Sequence, residues 1–546
     1  MKKTYLLVLL NALFINLNAQ SFQWAKREGL YAYDYGYGIA VDNAGNTIVA
    51  GKYEEEAIFS GTTLTNAGNH DIYLASYSPS GTLNWVKTAG GVLGDYAHAM
   101  STDGANYIYI AGEIEGAGDV VSFEGSTTTL VTQGDNDIVV AKYDMSGNLI
   151  WAKSEGYWYS EKALGCANDN SGNVYICGYF SDNTIFNGVG ITGTGSRDAF
   201  LAKYDANGNF QWVKVAQGPG REEGLDVKCD AAGNVYMCGM YTDGAVFGTT
   251  TLSSPLTYYN NYLAKYAPDG TLLWVKTSGS DYDEVAWSLA IDNAGKIYMA
   301  GEFNAYALFD SYALTTTGNA DIYVACYNDA GAVQWVSQAG GALIDRARGI
   351  GTNGSNIYLT GQFGNTATFG THTLNAADSS DVFIAGLNNS GSWIWAMSVG
   401  GAADSLETLG YESGIAVTGD ANGYVYATGS VLDGGVFGGT TYNDYAHTDI
   451  FVTKIAQLGA GIEENNSGTL SIYPNPGNGD ITIDLTNFID QKNELTVSNC
   501  LGQVIEKRNN LPLAPLTMDL RNNEKGIYFI EVRSENTVSR SKVIIQ

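Results

Sequence analysis

Six acids stand at one recurring position along the chain: Asp34, Asp95, Glu161, Glu222, Glu284 and Asp345. The first five lie eight residues before a turn of the type Asp42-Asn-Ala-Gly-Asn46, and Asp345 joins them once its turn is aligned on Gly349. The seventh unit falls out of phase, with Glu412 two places off and Glu407 farther away. Carboxylates repeated in this way could hold Ca²⁺ or repel anions. A pair of them at the right separation could hydrolyse a glycosidic bond. The weightier reading is structural: a residue present in nearly every unit builds the unit, for instance by accepting backbone N–H bonds from its neighbour. Trp158 lies in Glu155-Gly-Tyr-Trp-Tyr159, and Tyr31, Tyr33, Tyr35 and Tyr37 fill the equivalent stretch of the first unit. Aromatic rings near carboxylates suit sugar stacking, although packing between units is the favoured account, above all for Trp287. Arg221, Arg346 and Arg348 are isolated cations.

Other chemistry is absent from the sequence. No nucleophile elbow, phosphate loop or metal triad occurs. The Asp-x-x-Gly-Asn turns lack the Asp-x-Asp-x-Asp-Gly spacing and distal Glu of a calcium loop. Cys177 and Cys238 fall at a repeat position otherwise held by Ala or Thr and read as small core residues. The charge of 28 − 57 = −29 excludes a nucleic-acid binder, because little here would displace counterions from phosphates. The expectation is therefore no catalytic residues and no cofactor, with Ca²⁺ the single metal considered.

What must position these residues is a repeat. Trp24, Trp85, Trp151, Trp212, Trp274, Trp335 and Trp395 recur every 60 to 66 residues. Gly51, Gly112, Gly178, Gly239, Gly301, Gly361 and Gly429 keep the same phase, as does a Phe series from Phe59 to Phe437 and an Asp/Asn series from Asp71 to Asp449. Each unit supplies four short alternating segments, such as Gly38 to Val41, Thr47 to Gly51, Asp71 to Tyr77 and Leu83 to Lys87. Four strands per unit describe a propeller blade. The last unit lacks a Trp strand, and the array opens on a lone one, Phe22-Gln-Trp-Ala-Lys26, so the first strand is expected to complete the seventh blade and remove two open edges. The segments from Lys52 to His70 and its equivalents are long and varied, and binding chemistry tends to sit on such loops.

The ends carry export signals. Met1 to Gln20 has Lys2 and Lys3, an apolar run and a small-residue end, the pattern of a secretory signal peptide. No later stretch is long and apolar enough for a membrane span. After a linker at 459–469, residues 470–546 hold short strands with Pro474-Asn475-Pro476, Gly502 in Leu-Gly-Gln, Gly526 and Tyr528 in Gly-Ile-Tyr, and Lys542 in a basic-apolar end.

Residues 21–458 resemble the bacterial seven-bladed β-propeller repeat family. Hairpins such as Tyr204 to Trp212 also look like the Asp-box of sialidase propellers, which is structural there. Residues 470–546 resemble the C-terminal sorting domain of the type IX secretion system of Bacteroidetes. The fold class expected is all-β: a seven-bladed β-propeller with its N-terminal strand closing the last blade, then a small Ig-like β-sandwich. The second resemblance implies export through the type IX machinery and a secreted or outer-membrane-surface location. The function expected is a monomeric binding or adhesion module for a glycan or protein on the long-loop face. The alternatives are a carbohydrate hydrolase or lyase using the acids, and a purely structural envelope protein.

Overall fold

A computed structural model describes residues 20–30, 32–242, 244–254, 258–279, 282–401, 412–432, 435–437, 440–442, 448–456, 471–485, 494–499, 504–509, 511, 514–521, 523, 525–533 and 538–545. Residues 1–19 of the expected signal peptide, the expected linker at 459–469, and Gly502 lie outside them. The described residues form strands and turns with no helix, in two compact units, Met1–Gln457 and Leu458–Gln546.

In the larger unit the alternating segments pair as antiparallel groups of four. The first runs Tyr35–Val41, Thr47–Phe59, Thr62–Tyr77 and Leu83–Gly90, each strand bonded to the next. The pattern repeats along the chain and makes the unit all-β and propeller-like. First strands of successive groups touch in order: Tyr35–Val41, Asp95–Thr102, Glu161–Asn168, Glu223–Cys229, Glu284–Ile291, Arg346–Thr352 and Ser413–Gly419. The last of them also touches the first. Ser21–Leu30 pairs with Asp449–Ala456, from Ser21↔Ala456 to Glu28↔Ile450, and so supplies the fourth strand that this group lacks in sequence.

The cores lie between groups. Ile48, Ile72 and Leu74 pack with Ile108, Ile110 and Val139 of the following sheet. Tyr53, Tyr73 and Tyr77 pack with Tyr426, Ile450 and Val452, which joins the last sheet to the first. Full burial of such side chains is worth about 1.5–3 kcal/mol each, and this accounts for the sequence's many buried tyrosines.

Six of the seven junctions carry a second fastening. The Trp24 Nε1–H donates to Pro79 O (3.0 Å), Trp85 to Met145 O (3.2 Å), Trp151 to Ala206 O (3.3 Å) and Trp335 to Asn389 O (3.2 Å). The acceptor is always the tight turn between third and fourth strands of the next sheet. Within that turn a glycine rests on the indole: a Cβ at Gly208 would lie 2.8 Å from the Trp151 ring, and Gly208 has φ +77°. Trp395 is the exception, its Nε1 buried with no acceptor among the described residues. The sheet after it takes its fourth strand from the N-terminus, so no such turn faces Trp395.

The long loops form ordered hairpins that lap onto the preceding sheet. Ala89 pairs with Phe123, Ala216 with Phe247 and Gly340 with Thr368. The repeated Phe side chains are buried there, Phe123 and Phe247 among them.

The smaller unit has a three-stranded sheet (Ser471–Tyr473, Asp480–Asp484, Leu516–Asp519) and a four-stranded one (Val504–Asn509, Glu494–Asn499, Gly526–Arg533, Val538–Ile545). Ile481, Ile483 and Met518 from the first share one core with Val497, Ile530 and Val543 from the second.

Gly208→Ala should cost about 2–4 kcal/mol, the sum of a left-handed penalty and a clash with the indole. Gly188 has φ +81° but open space where its Cβ would go, so Gly188→Ala should cost only about 1–2 kcal/mol. Denaturant unfolding of both variants measures the difference, and equal losses would remove the indole from the account.

Candidate functional site

The recurring acids begin the inner strands, and every one is fully buried. Asp34 accepts from the Glu54 amide (2.9 Å), Asp95 from Gly91 (2.7 Å), and Asp345 from both Gly341 (2.7 Å) and Gly364 (3.0 Å). Glu222 accepts from the Thr242 hydroxyl (3.4 Å) and Glu284 from Ser278 (3.2 Å). Glu161 stands beside Thr184 and the Tyr157 amide without a well-aligned bond to either. Glu412 accepts from the Leu432 amide (3.1 Å), twenty residues on, as Asp34 does from Glu54. Its turn starts at Asp420, whose Oδ1 accepts from Asn422 and Tyr424. Eight residues back from Asp420 is Glu412, which therefore completes the series; the phase break expected from the sequence is corrected.

A second acid from the preceding sheet faces most of these: Asp449 near Asp34, Asp71 near Asp95, Asp137 near Glu161, Asp198 near Glu222 and Asp321 near Asp345. Burial first, then this like charge, pushes Asp34 and Asp95 up to about 8 and Glu161 to about 9. Glu222 rises to about 7 and Asp345 to about 6 for the same reasons. Burial and the facing like charge thus favour the protonated form of the first three at neutral pH. None of the seven lines the central cavity. The structure places them in closed junctions between sheets, where a ligand would have to part the strands to reach them. Among the described residues no three His, Cys, Asp or Glu side chains gather as a metal-binding group.

Trp158 is 68% exposed and tilts against Tyr157 at 5.7 Å, on the surface. Tyr37 and Trp287, by contrast, line a cavity of about 640 Å³ enclosed by the inner strands. All seven inner strands carry a β-bulge, seen as a register shift such as Gly36/Gly38 against Gly51/Ala50. The residues left unpaired are Tyr37, His98, Leu164, Leu225, Trp287, Arg348 and Ile415, and each lines the cavity. A bulge re-aims the extra side chain. The repeated glycine of the second strand makes room for it: a Cβ at Gly112 would collide with Tyr96 O, and one at Gly361 with Arg346 O. The frame is thus constant, while the residues it presents vary, only Leu appearing twice. Because no single residue type holds the position, a search for recurrence passes over them; the one available signal was the position three residues after each acid.

Charges around the cavity are mostly committed. Glu113 Oε1 accepts from Lys162 Nζ (2.7 Å) and pairs with His98 Nε2 (3.0 Å), while its Oε2 accepts from Asn136 (2.8 Å). Burial pushes Glu113 up, but His98 and Lys162 together hold it below its ordinary value. Asp226 accepts from Lys228 Nζ (2.5 Å), Ser288 Oγ (2.9 Å) and the Leu289 amide (2.8 Å). His70, Tyr96, His98, Tyr37 and Tyr35 make a continuous row with ring centres 5.3–5.7 Å apart. The Arg348 guanidinium lies 3.8 Å from the Trp287 ring centre, and burial lowers it to about 10, so it stays charged. Such a site can grip a small ligand by ring stacking, a few fixed hydrogen bonds and one positive charge.

In the smaller unit the Pro-Asn-Pro segment is stitched to the final strand. Asn475 Nδ2 donates to Lys542 O (2.7 Å), and Asn475 Oδ1 accepts from the Ile544 amide (3.0 Å). Tyr528 is buried in that core, and Gly526 opens the strand that pairs with the last one.

Raised folded-state pKa values favour folding below the unfolded value near 4 and lose that contribution as pH climbs to 8–9. Each such acid then costs about 1.4 kcal/mol per pH unit between those limits. The melting temperature should fall from pH 5 to pH 9, and Glu161→Gln should flatten the fall; an unchanged slope would contradict the proton assigned to that junction. Asn475→Ala removes two hydrogen bonds and should destabilise the smaller unit by about 1–3 kcal/mol in a thermal melt, whereas no change would mean that the clasp carries no stability.

Residues 471–546 match the family described as the Secretion system C-terminal sorting domain. Among curated proteins, the chain is similar to an uncharacterized WD repeat-containing protein, L264, of Acanthamoeba polyphaga mimivirus, 24% identical over 229 residues, or 35% of this chain and 16% of that protein. It is also similar to the regulatory protein FlaEY of Caulobacter vibrioides, 23% identical over 192 residues, or 34% of this chain and 20% of that one. The chain thus spans at most a fifth of the length of these relatives. Among solved structures, Sqt1 from Chaetomium thermophilum aligns with 80% of this chain and all of its own, at 9% identity and a TM-score of 0.35. The C-terminal match and the Pro-Asn-Pro, Gly-Ile-Tyr and basic-apolar segments agree on one assignment: residues 471–546 are a type IX secretion sorting domain, and the protein that carries them is exported to the cell surface or the extracellular space.

Proposed function

We propose that this protein is an exported, monomeric binding module whose ligand, a glycan, enters the central cavity. In this reading the larger unit is a seven-bladed β-propeller closed by its own first strand, Met1 to Gln20 is its Sec signal, and the smaller unit is an Ig-like sandwich read by the type IX machinery. Binding needs neither Ca²⁺ nor another cofactor, and no turnover follows it. The observation that carries the reading is the bulge series. A repeated frame aims seven side chains of six kinds into one cavity of about 640 Å³, a size suited to a small ligand or chain end rather than a folded partner. The long hairpins, by contrast, are occupied in holding neighbouring sheets together. A second reading, carbohydrate cleavage, draws on His98, a cavity-wall imidazole held by buried Glu113 at 3.0 Å.

Thermal melts of the exported protein against a panel of oligosaccharides test this. A ligand at 100 times its dissociation constant adds about 2.7 kcal/mol, and the upward shift should vanish in Leu164→Trp, which fills the cavity from a wall position. A panel with no shift would contradict the proposal, and released sugar products would favour the second reading.

A further inference from the structure

We infer that the cavity selects an acidic sugar, a uronate whose carboxylate is taken by Arg348. The inference rests on the cavity being the binding site and adds the chemical class of its ligand. Two cations line the cavity among the described residues, Arg348 and Lys228. Lys228 is held by Asp226 at 2.5 Å. Nearby cations are committed as well: Lys162 to Glu113 at 2.7 Å, Arg221 to Glu223 at 2.7 Å, and Arg346 to Glu302. Arg348 differs. No described carboxylate lies within ion-pair distance of it, and its guanidinium rests instead on the Trp287 face.

In a chain with 57 acidic residues against 28 basic ones, a wall arginine that feels Glu302 only from beyond ion-pair distance, that acid being bonded to Arg346, needs a reason. A guanidinium offers a planar fork of donors that matches a carboxylate with two parallel hydrogen bonds. Stacked on an indole, it is held flat and still, so less freedom is lost when the anion arrives. The Trp287 Nε1 itself is buried with no acceptor among the described residues, so it is the ring face, not this N–H, that serves the guanidinium. The rest of the layer fits a pyranose ring. Leu164, Leu225 and Ile415 offer apolar contact for C–H faces, while Tyr37 and His98, ring centres 5.3 Å apart, offer stacking and hydrogen-bonding groups. A single carboxylate matches a single free guanidinium. Strongly sulfated chains would bring many charges against a protein of net charge −29.

Calorimetric titration of the full exported chain decides the matter, using galacturonate and glucuronate oligomers, their methyl esters and the neutral galactose and glucose counterparts. The acids should bind at least tenfold tighter than the esters, about 1.4 kcal/mol. Arg348→Gln should erase that preference, with the melting temperature near wild type. Arg348→Lys should restore part of it. Equal affinity for acids and esters would overturn the inference and leave the cavity reading standing. A preference that survives Arg348→Gln would overturn it too, by placing the anion elsewhere. Failure of every sugar to bind would defeat both, as would binding of a carboxylate-ended peptide in place of sugars.

Discussion

An indole lying under a left-handed glycine of the next sheet is the contact on which the rest of the larger unit depends. Trp151 shows both halves of it: its N–H reaches Ala206 O at 3.3 Å, and Gly208, at φ +77°, leaves the space that the ring fills. The glycine must be left-handed for the turn and bare for the ring, so one residue satisfies two demands. Repeating the contact sets the spacing between neighbouring sheets, and the spacing lets Ile, Leu and Tyr side chains interlock between them. Where the chain breaks the pattern, at Trp395, the N–H goes without an acceptor. The cost of that one orphan, about 1–3 kcal/mol, is offset by the pairing of Ser21–Leu30 along nearly the whole of Asp449–Ala456.

Inside that spacing a division of labour follows from burial. The acids that begin the inner strands, the glycines of the second strands and the buried Phe anchors of the hairpins touch only the protein and recur in kind. The bulged residues between them touch the cavity and are of six kinds in seven units, Leu alone appearing twice. Burial raises the acids at the junctions, and a proton taken up there removes one of two like charges. The open side of the inner strands is thereby left free for chemistry that differs from one unit to the next, as Trp287 beside Arg348 and His98 beside Tyr37 illustrate.

This division explains which features the sequence disclosed. Trp, Gly, Phe and Asp recur because each meets the same neighbour in every repeat, so the strand order, the closing role of Phe22 to Lys26 and the C-terminal sorting unit were legible. The acids were legible as a series, and the reading that they build the repeat by accepting backbone N–H bonds agrees with the bonds at Asp34, Asp95 and Asp345; their full burial between two sheets is a tertiary fact that spacing does not carry. Glu412 was misplaced because its turn was taken from the wrong residue, and the Leu432 amide restores it. Length did not disclose that the long segments after Gly51 and Gly112 are paired hairpins, the second lapping onto the preceding sheet. Arg348 looked isolated because its partner, Trp287, lies sixty-one residues away on the adjacent inner strand.

Hydrogen exchange of the full chain, with and without a saturating mixture of oligosaccharides, tests most directly whether the inner-strand cavity is the working face. Added protection should concentrate in peptides covering Tyr35–Val41, Asp95–Thr102, Glu284–Ile291 and Arg346–Thr352, with little change at Tyr157 to Tyr159. Protection confined to that exposed aromatic loop, or to the lapping hairpins, would contradict the account and move the binding face to the outside of the sheets.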